Sequence, residues 1–67
     1  MDLAIKTVLQ TLVHTIVSHA EPKTAQAIED ALFKAAEDLT AENFHVEAGE
    51  VQSIAEAAVV AQDNKAG

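Results

Sequence analysis

The chain reads as an all-α domain of three helices, a helical hairpin plus a third helix, that pairs into a dimer. Three observations carry that expectation. Apolar residues recur at spacings of three and four along three separate stretches, the signature of amphipathic helices. Between those stretches lie one proline break and one segment without any period. Finally, 67 residues with no cysteine leave no disulfide or thiolate site to reinforce a small core. Self-association is the remaining remedy.

The first stretch, 3–19, is the most apolar part of the chain. Ile5, Leu9, Leu12 and Ile16 form its central stripe, Val8 widens it on one side, and Val13 and Val17 widen it on the other. At ~100° per residue these seven cover about half the circumference, more than a single-faced surface helix needs. Asp2 is placed to cap this helix, because its carboxylate can accept from the free N–H groups of the first turn.

Glu21-Pro22 breaks the chain, since proline suits the first helical position and forces the preceding residue out of helical geometry. A second helix is expected over about 22–39, with the stripe Ala25, Ile28, Ala31, Leu32, Ala35, Ala36 and Leu39. So short a connection predicts an antiparallel hairpin in which Ile5, Leu9, Leu12 and Ile16 lie over the alanine stripe. Phe33 falls off that stripe and is assigned to an interface.

Residues 40–47 have no period and are expected to form a loop, with Phe44 and Val46 tucked into the core. The third helix, about 48–62, carries the stripe Val51, Ile54, Ala55, Ala58 and Ala61. Val59 and Val60 flank it on opposite sides, so both cannot face one core. They add to the apolar surface in excess. Residues 63–67 read as a polar tail.

Charge excludes more than it identifies. Eleven acidic residues face four lysines and no arginine, a net charge of -7. Nucleic-acid affinity comes mainly from Lys and Arg neutralising phosphates, so no nucleic-acid partner is expected. The same balance disfavours anionic membranes, and no stretch approaches the ~20 apolar residues of a membrane span. Asp2 stands where a secretory signal would carry its basic residues, and Lys6, Gln10 and His14 interrupt the apolar run. The expected compartment is the cytoplasm.

No grouping for chemistry emerges. His14 and His19 are five apart, on different helix faces, and His45 is remote, so no metal is expected. Ser18-His19 is adjacency without triad geometry. Two late glycines make no phosphate-cradling loop, and no serine carries the Asp-Ser-Leu motif to which carrier proteins attach a prosthetic arm. No cofactor and no enzymatic activity is expected. The expectation is a protein-binding module: a small acidic homodimer that modulates or inhibits a larger partner, in the manner of an accessory protein. The alternative is a structural subunit whose only partner is itself. Val13, Val17, Phe33, Val59 and Val60 are the candidate interface. Glu29, Asp30, Glu37 and Asp38, two carboxylate pairs eight residues apart, form a candidate acidic strip for a partner with a basic surface.

Overall fold

A computed structural model describes residues 1–66. They form three helices, α1 (Leu3–His19), α2 (Pro22–Ala41) and α3 (His45–Ala66), and no strand. Asp2 caps α1, its Oδ1 accepting from the backbone N–H of Ala4 at 2.8 Å and of Ile5 at 3.4 Å. Ala20 and Glu21 are extended, and Pro22 opens α2 without losing a hydrogen bond, because the first helical N–H has no partner within the helix.

The second connection is much shorter than the pattern predicts, and the 40–47 loop shrinks to three residues. Asn43 takes a left-handed φ of 70°. Its N–H donates to the Thr40 carbonyl at 3.0 Å, and the N–H of Phe44 donates to that of Leu39 at 2.9 Å. Together these bonds make a Schellman cap, which satisfies the last carbonyls of α2 and turns the chain at once. Helix α3 therefore begins at His45. Phe44 and Val46, expected inside, are exposed, and Ala48 takes the buried position instead. At the far end α3 continues through Asp63–Lys65, where a tail was expected; Gly67 lies outside the described residues.

Packing corrects the expected hairpin. Helices α1 and α2 meet only around their junction, and α3 lies between them and packs along both. Helix α3 runs parallel to α1. The Met1 amino group pairs with Glu50 at one end, Gln10 Nε2 donates to the Ser53 carbonyl at 3.5 Å, and Lys65 Nζ donates to the Val17 carbonyl at 3.2 Å at the other. Lys65 also reaches the Ala20 carbonyl, so a cation from α3 closes the C-terminal end of α1. Helix α2 runs antiparallel to α3, tied to it by Gln62 Nε2 donating to Glu29 Oε2.

Small side chains explain this position. The fully or nearly buried residues are Val17, Ile54 and six alanines: Ala25, Ala36, Ala48, Ala55, Ala58 and Ala61. Alanine lets helix axes approach closely, and α3 presents it on both flanks of Ile54, which makes room for a neighbour on each side. The result is flattened, 35 × 24 × 15 Å across its Cα atoms, with a radius of gyration of 11.9 Å. A compact chain of this length has a radius near ~11 Å.

Candidate interaction surface

The stripe expected to fill the core is on the outside. Leu3 is 77% exposed, Ile5 56%, Val8 56%, Leu12 51% and Ile16 54%. On the helical wheel Ile5, Val8, Leu12 and Ile16 fall within ~80° of one another, so they form a single row along α1. Leu9, at the edge of that row, is partly buried. Ala4, Ile5, Val8 and Leu9 border a shallow, almost wholly apolar depression of about 240 Å³ near the helix N-terminus.

The inward side of α1 carries the residues that sequence placed at an interface. Val17 is fully buried, in a cluster with Ala25, Ala58 and Ala61, and Val13 packs against that cluster. Their branched side chains fill the junction of the three helices, so the candidate flank of Val13 and Val17 is internal to the chain. The reason is geometric. Helix α1 meets a neighbour rich in alanine, and the compact valine side chains fit that groove while the longer Ile and Leu point away.

The remaining candidates are scattered. Phe33 is partly buried, because α2 turns its Ala25–Ala36 line inward and leaves Ala31 and Ala35 exposed. With Glu37 and Thr40 of α2 and Gln52 of α3, Phe33 borders an open cleft of about 460 Å³. Val59 is partly buried and Val60 half-exposed. Val60 lines a separate cleft of about 450 Å³, between α1 and α3, that His14 and Glu56 also line. Phe33, Val59 and Val60 therefore do not form one patch.

The acidic strip is partly engaged within the chain. Glu29 accepts from Gln62, Asp30 accepts from Gln26 Nε2 at 2.9 Å, and Asp38 pairs with Lys34 at 3.3 Å. Glu37 is exposed beside Phe33. Of the histidines, His14 is partly buried in the α1–α3 cleft, while His19 and His45 are exposed at helix ends. Among the described residues no three His, Asp or Glu side chains converge as metal ligands, and no helix is long and apolar enough to cross a membrane.

Sequence reasoning missed the outer row of α1 because it assigned the largest side chains to the core. The width of the stripe, already legible in the sequence, is its signal. Half of α1 is apolar, and the other two helices offer mainly alanine, which builds a close-packed seam but cannot wrap both sides of one helix.

No family model matches the chain, and neither a curated protein nor a solved structure matches it.

Proposed function

We propose that the chain is a self-associating protein-binding module whose first helix forms the seam of a homodimer. The observation that carries this reading is the exposed row Ile5, Val8, Leu12 and Ile16 on a domain whose own core is mostly alanine. Full burial of a Val, Leu or Ile side chain is worth about 1.5–3 kcal/mol, far more than burial of an alanine methyl. The side chains with most to gain are the ones left in water. The exposed surface, 4477 Å², also exceeds the ~4,100 Å² that a monomer of this mass usually retains.

Charge favours a second copy as the occupant. From Leu3 to His19 there is no acidic residue and one lysine, whereas ten of the eleven acids lie beyond α1. Two chains of net charge -7 repel each other least when this helix faces inward. Such a pairing keeps Glu37 and Asp38 outward, where they can steer a partner with a basic surface; this supports a modulating role as a second reading. A purely structural subunit would share the seam and lack that further partner.

The test is solution mass by light scattering across a dilution series. The expected result is twice the 7.1 kDa chain. Leu12→Gln should shift the protein toward one-chain mass at the same concentration, with its helical circular dichroism retained at concentrations where the monomer is folded. A one-chain mass for the unaltered protein at every concentration would overturn the reading.

A further inference from the structure

We infer that the two copies pair their α1 helices antiparallel, in the register that sets Ile5 of one chain against Ile16 of the other. This rests on the homodimer proposed above and adds its geometry. Ile5 and Ile16 of the exposed row lie equally far from a point between Gln10 and Thr11, as do Leu12 and the partly buried Leu9, while Val8, whose counterpart Val13 faces inward, stands outside the pairing. A twofold axis through that point exchanges Ile5 with Ile16 and Leu9 with Leu12, so the same surface serves both partners. Helix α1 has 17 residues and spans about 25 Å, and this register uses nearly all of it.

The charges at the two ends of α1 select the direction. At the N-terminal end stand Asp2, the cap, and the Met1–Glu50 pair, one negative charge in sum; at the C-terminal end Lys65, bonded to the Val17 and Ala20 carbonyls beside the His19 imidazole, offsets Glu21. The register that pairs Ile5 with Ile16 also brings Asp2 of each chain opposite His19 of the other. A parallel pair would gather two copies of Asp2 at one end and two copies of Lys65 at the other. It would also align the two helix dipoles, which the antiparallel pair opposes.

Thiol cross-linking reads the geometry directly, because the chain has no cysteine of its own. The double variant Ile5→Cys with Ile16→Cys should form covalent dimers under mild oxidation. Each single variant should form at least tenfold less, because equivalent positions then lie about 16 Å apart along the axis and a disulfide needs Cα atoms within about 7 Å. Efficient cross-linking of Ile5→Cys alone would overturn the proposal in favour of a parallel pair. A two-chain mass without cross-linking in any variant would overturn it in favour of another face or register. A one-chain mass for the unaltered protein would remove the homodimer itself, and the register with it.

His19→Lys gives an independent reading that leaves the apolar row intact. Antiparallel pairing places the new cation against Asp2, and the dissociation constant should fall about threefold at low salt, within the range of exposed ion pairs. A rise would mean that like charges meet, and would overturn the proposal.

Discussion

Helices α1 and α3 use their hydrophobic residues in opposite ways. Helix α1 has the larger side chains and the clearer stripe, yet it stands at the side of the molecule with Ile5, Val8, Leu12 and Ile16 in water. Helix α3 has a faint pattern, interrupted by Gly49 and dominated by alanine, yet it touches both other helices and carries five of the eight buried residues. A strong amphipathic period reports that a helix has something to bury. It does not report whether the covering surface belongs to the same chain. Centrality within the chain follows instead from small residues on more than one face, which let two neighbours approach together.

The difference can be broken from the α1 side first, where the largest effect is expected. Val17→Glu places a carboxylate at a position with no solvent exposure and no partner, a cost comparable to the whole stability of so small a domain. It should abolish helical circular dichroism at neutral pH. Leu12→Glu, one turn away on the outer row, should leave a protein that still folds but no longer pairs. Were the two variants to behave alike, the assignment of inner and outer sides to α1 would fail.

The next effect tests α3. Ala58 is fully buried at the junction where Val17 and Ala25 meet. Ala58→Leu should destabilise the fold by about 1–3 kcal/mol, because the added branches must push one neighbour away. The same substitution at exposed Ala35 should change stability by no more than about 0.5 kcal/mol. Urea unfolding midpoints measure both. Equal effects would mean that α3 is not closely packed between its neighbours.

Much of the secondary structure was legible because its signals are local. The Asp2 cap, the Glu21-Pro22 break and the three apolar stretches act within a few residues of themselves. The 42–44 turn was misjudged because its signal is one asparagine able to adopt a left-handed φ, a weaker mark than glycine. The packing was less legible. Ala25 and Ala58 could be assigned to the core by spacing, but not to a particular neighbour, since alanine seams fit each other about equally well. Sequence alone puts Val13 and Val17 on a spare flank, because the larger Ile and Leu side chains gain more from burial. In a core built at alanine spacing, the shorter branched side chain is the one that fits.

Gly49 offers the smallest and cleanest refinement. It sits in α3 just after its first turn, with ordinary negative φ, and a Cβ built there meets nothing within 4 Å. Its carbonyl accepts from Ser53 Oγ at 3.1 Å, a bond that an added methyl group leaves in place. Glycine inside a helix costs about 0.5–1 kcal/mol relative to alanine, through the freedom it retains when unfolded. Gly49→Ala should therefore raise the melting temperature by several degrees, given about 4–8 °C per kcal/mol for domains of this size. The size of that rise is informative about α3. If its first turns pack along α1 and α2 in one cooperative fold, the whole gain appears in the global transition. If they fray independently, the global melting temperature stays put and only the protection of amides near Gly49 against hydrogen exchange increases.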